Sequence, residues 1–203
     1  MPGSIVHLKT AFELVEINGI DKSNLPNYLL GAIAPDSVNL NGHAPKDIRW
    51  RTHHRNKDIK VWYNMVVDFY NENKTRYDIN FLKGYVVHLL TDILWDIQVN
   101  TLIHNVFREE NVPIENQKSL RWQEITAYEN TQINEDWFKT AVEQIRRGKA
   151  VAIDGMETEV IEGWRDNFLS KIKDKGNRPR IVTEKVYKDF LIKLVALCGF
   201  LSE

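Results

Sequence analysis

Apolar positions recur at helical spacing along most of this chain. Ile59, Trp62, Met65, Val66, Phe69 and Tyr70 fall three or four residues apart, which predicts an amphipathic helix over 56–73. From about 78 to 109 the residues are apolar on most faces, the pattern of an element enclosed on all sides. At ~1.5 Å of rise per residue, its roughly 30 residues would cross a small domain, so this is the expected central helix. Ser4 is placed to cap a first helix ending near Asn18-Gly19. Asn24 is placed to cap a second, with Pro26 in its first turn and Pro35 beyond its end. Further helices are expected near 119–132, 135–147, 157–174 and 184–201. A linker over 111–117, Gly148, Gly155 and a turn at 175–179 separate them, and Ala150 to Ile153 reads as a short extended piece. Residues 36 to 55 are rich in Asn, Gly, Pro and basic side chains and read as a long loop, a feature that usually carries function. These patterns predict an all-α protein, a single multi-helix domain over 1–203 built around the 78–109 helix.

Composition narrows the choice of partners. Lys and Arg number 27 against 28 Asp and Glu, a net charge of −1, so no global field draws the chain to nucleic acid or acidic lipid. Recognition of an anion must then be local. The start, Met1-Pro2-Gly3-Ser4 followed by His7, Lys9 and Glu13, does not read as a signal peptide. The single cysteine, Cys198, excludes an internal disulfide and reads as a core residue within an apolar run. Both features favour the cytoplasm. The near-apolar stretch Phe190 to Leu201 contains Lys193 and falls short of the ~20 residues that span a bilayer, so a soluble protein is expected.

The candidate chemistry lies on the central helix. Residues four apart stack on one helical face, so Gly84, His88, Asp92, Asp96 and Asn100 form a stripe on an otherwise apolar element. An unpaired, ionised Asp in a core would cost several kcal/mol, so the stripe demands cations, water or a metal as partner. Gly84, without a side chain, leaves room one turn before His88. His7 falls on the first helix, as an interior hydrogen-bonded histidine or a ligand. Asp36 follows Pro35 at a helix end, as a turn former or a ligand. With the His53-His54 pair, six ligand-type side chains come from four separated segments, the donor types a divalent cation such as zinc takes. Arg49, Arg51, Arg55 and Lys57 lie beside His53 in sequence. They form a solvated face, or Arg51 and Arg55 bind a substrate phosphate. Trp50, Trp62 and Trp95 line an apolar groove or belong to the core.

Four segments, SIVHLKTAFEL around His7, LLGAIAPD ending at Asp36, THHR around His53 and FLKGYVVHLLTDILWD carrying His88 and Asp92, resemble the zinc-dependent phospholipase C family. Its superfamily also contains zinc nucleases acting on single strands. The resemblance covers roughly residues 1 to 100. It implies that His7, Asp36, His53, His88 and Asp92 ligate a cluster of one to three zinc ions in a helical domain. Thr52-His53 matches the family's Ser/Thr-His context, which leaves His54 as a spare. The implied reaction is hydrolysis of a small phosphoester or phospholipid-like substrate by metal-activated water, with Asp36 orienting or deprotonating the water. The chain departs from the family at Met1, where secreted members present a Trp amino group to the metal, and at Gln98, where active members carry a His. His104 is followed at the fourth position by Arg108 rather than Glu. A reduced third metal position is therefore implied, with Asp96 as the replacement carboxylate and Glu109 or Glu110 behind it. A helical metal-binding protein that has lost catalysis and a non-enzymatic interaction domain are the alternative readings. A phosphohydrolase built on a His-Asp dipeptide is disfavoured, because no His here precedes Asp directly. Residues 110 to 203 carry no readable motif.

Overall fold

The computed structural model describes every residue except 174, 175 and 203. Among the described residues the α-helices run, in order, α1 Ser4–Glu13, α2 Leu25–Gly31, α3 Lys46–Thr52, α4 Ile59–Asn73 and α5 Ile79–Ile97. They continue with α6 Val99–Glu109, α7 Ile114–Gln132, α8 Asp136–Arg147, α9 Thr158–Ser170 and α10 Glu184–Leu197. Short 3-10 segments occupy Ala34–Asn39 and Gly199–Ser202. The sole β pairing among them is an isolated antiparallel bridge between Ile153 and Met156, so the class is all-α.

α5 is the core of the molecule, buried continuously from Gly84 to Trp95. The Asp78 carboxylate starts it, accepting from the amides of Asn80 at 3.0 Å and Phe81 at 2.9 Å, which satisfies two otherwise unpaired helix-end donors. The expected 78–109 helix is divided at Gln98, whose φ of −104° leaves the helical range. The division falls where the run leaves the interior, since α6 buries only Val99, Ile103 and Phe107. By length and composition the run Ile79–Glu109 would pass as membrane-crossing, yet 67% of its most apolar window is buried inside this fold.

α2 crosses α5 with backbones in contact. A Cβ on Gly84 would stand 1.9 Å from the Tyr28 carbonyl oxygen, and one on Gly31 would stand 2.1 Å from that of Phe81. The room beside Gly84 is thus filled by α2 itself, correcting the expectation of space one turn before His88. The crossing fixes Ala32, just past the end of α2, over the face of α5 that carries His88.

α1 is seated differently from expectation. Gly3, not Ser4, is its N-cap, and the amides of Ile5 and Val6 donate to Glu129 Oε1 of α7 at 3.0 and 3.1 Å. α1 also ends at Glu13, ahead of Asn18-Gly19. The 36–55 segment is not an open loop: it folds into the 3-10 segment and α3. α4 starts at the Asp58 cap and buries Trp62, Val66, Phe69, Tyr70 and Asn73, while Ile59 and Met65 stay partly exposed. α7 begins directly after Pro113, shortening the expected linker. α9 ends at Ser170, and positions 174 and 175 of the expected helix and turn lie outside the described residues.

Candidate metal centre

Five side chains from four segments converge against the middle of α5. His7 of α1, His88 and Asp92 of α5 form one group of ligand atoms within 4.8 Å of one another, and Asp36, His53 and His88 form a second that shares His88. Asp36 sits in the 3-10 segment and His53 caps the C-terminus of α3. His7 and His88 stack with ring centroids 3.5 Å apart. His7 Nε2 lies 3.5 Å from Asp92 Oδ1, His53 Nε2 lies 3.5 Å from Asp36 Oδ1 and 3.7 Å from Asp92 Oδ2, and His88 Nε2 lies 3.9 Å from Asp92 Oδ2. These separations are long for hydrogen bonds and close to the ~3.4 Å that separates two donor atoms held at ~2.0–2.1 Å by one tetrahedral cation.

Backbone carbonyls decide which ring nitrogens face inward. His88 Nδ1 donates to the Ala32 carbonyl at 2.8 Å, and His53 Nδ1 donates to that of Arg49 at 2.9 Å, with Thr52 Oγ1 3.1 Å away. A carbonyl only accepts, so each Nδ1 carries a proton and each Nε2 presents a lone pair in the neutral ring. The two Nε2 atoms nevertheless stand 3.3 Å apart. Two lone pairs at that distance repel unless a positive charge lies between them, as a second proton or a shared cation. Orienting a ligand histidine through its other nitrogen is the usual outer support of a metal site.

The polar atoms left over have the same requirement. Both carboxylate oxygens of Asp92 and both ring nitrogens of His7 are buried without a hydrogen-bond partner among the described residues. Burial pushes the Asp92 carboxyl up, but His7, His88 and His53 around it outweigh that and hold it well below the usual range. Burial likewise raises Asp36, and the His53 contact and neighbouring imidazoles reverse it to a net lowering. For His88 burial dominates and His7 adds to it, so its pKa falls to about 3 and the ring stays neutral. Burial lowers His53, but its bond to Asp36 and the charge of Asp92 raise it overall. The site therefore combines two carboxylates held below their usual range with a neutral His88 ring, and carboxylate oxygen and imidazole nitrogen are the donor types that zinc takes.

Other candidates fall outside this cluster. His54 follows His53 with φ +46°, which turns its ring away to pack at a tilt against Phe69 and places Nε2 3.4 Å from Asp154. Asp96 is held by Arg55, by Asn100 Nδ2 at 2.6 Å and by the terminal amine of Met1 at 3.6 Å. It belongs to neither group of candidate ligand atoms. Glu110 pairs with Arg180, and Glu109 is exposed at the end of α6. Arg51 lies against Gly155, while Arg55 stacks over Trp62. Trp62 and Trp95 are fully buried, with Trp62 Nε1 donating to the His53 carbonyl at 2.9 Å, so they are core and not groove. Cys198 is buried and its thiol is pushed up to about 12 by that burial, which leaves it inert.

The supporting group that the sequence reading passed over is Glu129. Ile125, Tyr128 and Gln132 are buried at helical spacing around it, so a carboxylate on the inward stripe of α7 was the available signal. No known protein family, curated protein or solved structure matches the chain.

Proposed function

We propose that this protein is a metal-dependent hydrolase of phosphoester bonds, with His7, Asp36, His53, His88 and Asp92 as the ligands of a zinc-type centre. The observation that carries the reading is the opposed pair of Nε2 lone pairs on His53 and His88 beside the unpartnered Asp92 carboxylate. A bound divalent ion there would supply a water of lowered pKa and polarise a phosphoryl oxygen. The protein's own part is to hold the His88 and His53 rings in one tautomer, through Ala32 and Arg49, and to keep two carboxylates ionised within a buried cluster. Asp36 has the role nearest to solvent: its side chain is 14% exposed, against 0% for Asp92. It is the carboxylate that can accept a proton from an attacking water and pass it out.

The test is hydrolysis of bis(p-nitrophenyl) phosphate. Activity should disappear in chelator, return with zinc, and fall at least ~100-fold in Asp36→Asn, which removes charge and basicity while keeping size. Undiminished turnover in Asp36→Asn would take that residue out of the mechanism. A purely structural metal site is the second reading, favoured by the complete enclosure of His7, His88 and Asp92. It is distinguished by a chelator-sensitive fold without turnover on phosphodiesters, phosphomonoesters or phospholipids.

A further inference from the structure

The stripe of α5 that carries two of the metal-site residues does not stop at the cluster. Asp96 follows Asp92 one turn later on α5, and past the division at Gln98 Asn100 and His104 continue the four-residue interval on α6. Beyond Asp92 this rail becomes one wall of an open cleft of about 530 Å³. The opposite walls are Arg49 and Arg55 from the α3 region and Lys118, Arg121 and Trp122 from α7. The cleft is thus built on segments adjoining the metal site: Arg49 and Arg55 flank His53, and Asp96 lies one turn after Asp92.

The charge in the cleft is one-sided. Its single carboxylate, Asp96, is already taken by Arg55 and the terminal amine. Arg49, Lys118 and Arg121 have no carboxylate within ion-pairing distance among the described residues. Arg49 is aimed, because its Nε donates to the Ala44 carbonyl at 2.9 Å and so fixes the guanidinium plane. Three cations gathered without carboxylate partners, on a chain whose net charge is only −1, give this cleft a local positive field that attracts an anion. Arginine forks matched to tetrahedral oxyanions make phosphate the fitting anion.

We propose that this cleft is a phosphate subsite, holding a second phosphate of a substrate that bears at least two. As the substrate of the metal centre it rests on the hydrolase reading; as an anion site it does not. The reacting phosphoester lies at the cluster, and the second phosphate lies in the cleft that begins at Asp96, one turn of α5 after Asp92.

Two measurements test it separately. Inorganic phosphate titrated calorimetrically into metal-free protein at low salt should bind. Binding should weaken at least tenfold in the double variant Lys118→Gln, Arg121→Gln and hold in Asp92→Asn, with near-ultraviolet circular dichroism confirming that both fold. Absent binding, or equal binding in the double variant, overturns the subsite. The second measurement compares thymidine 5′-(p-nitrophenyl phosphate) with the same diester carrying a 3′-phosphate, using zinc-loaded protein. The 3′-phosphate should lower KM at least tenfold, and the double variant should abolish that advantage with kcat unchanged. Hydrolysis of both diesters with equal KM would discard the subsite and leave the hydrolase standing. Phosphate binding that responds to the double variant, with no hydrolysis of either diester, would discard the hydrolase and leave the anion site.

Discussion

At His88 the reactive face of the ring is chosen by an atom outside the cluster, the Ala32 carbonyl. The same holds at His53, through Arg49. The inward direction of His88 and Asp92 was legible from spacing alone, because a buried stripe repeating every four residues admits one face. His53 over His54 was legible only through resemblance; the physical discriminator, a left-handed backbone at His54, is invisible in sequence. Glu129 escaped for another reason. It caps α1 across 124 positions of chain, and no local pattern encodes so distant a partner. Burial raises its carboxyl to about 7, opposed by the amides of Val6 and Ile5 and reinforced by Asp36. A folded pKa above the ordinary 4.5 means the native state holds this proton more tightly than the unfolded chain does. The associated stability is complete below about 4.5 and is lost as pH rises through about 7. Glu129→Gln keeps the acceptor for both amides without the titration. Its metal-free melting temperature should therefore depend less steeply on pH between about 5 and 8 than that of the parent. Parallel curves would show that Glu129 titrates as an ordinary glutamate.

Among the elements, the α2–α5 crossing has the tightest tolerance. Gly84→Ala would drive a methyl group into the Tyr28 carbonyl, a backbone atom that cannot swing aside. The variant should lose ~1–3 kcal/mol or more in urea unfolding. It should also bind zinc more weakly without any ligand being altered, because displacing α2 withdraws Ala32 from His88. Full zinc affinity in a destabilised Gly84→Ala protein would separate the crossing from the site. The long apolar helices α4 and α5 were legible because periodicity is a summed signal. α3 was not: seven residues, KDIRWRT, with only Thr52 buried, offer no stripe to read. Yet α3 sets His53, so the unread element is the one that completes the cluster.

For the molecule as a whole, metal and fold should be linked. Zinc bound only by the native state adds RT ln(1 + [L]/Kd), about 2.7 kcal/mol at a hundredfold excess over Kd. Chelator should lower the melting temperature by several degrees, and His88→Ala or Asp92→Ala should remove both most of the bound zinc and most of that shift. A melting curve unmoved by confirmed metal loss would mark the cluster as energetically superficial. The order in which the five ligands occur along the chain adds a kinetic consequence. Only His88 and Asp92 are neighbours on one helix; His7, Asp36 and His53 reach them from 85, 56 and 39 positions before Asp92. A nascent α5 can therefore offer a metal just two donors, and the other three arrive only once α1, the 3-10 segment Ala34–Asn39 and α3 have docked. Closing those loops is an entropic cost met by apolar collapse around α5 before any ion can profit from it. Zinc should accordingly slow the unfolding of this protein while leaving its refolding rate almost untouched.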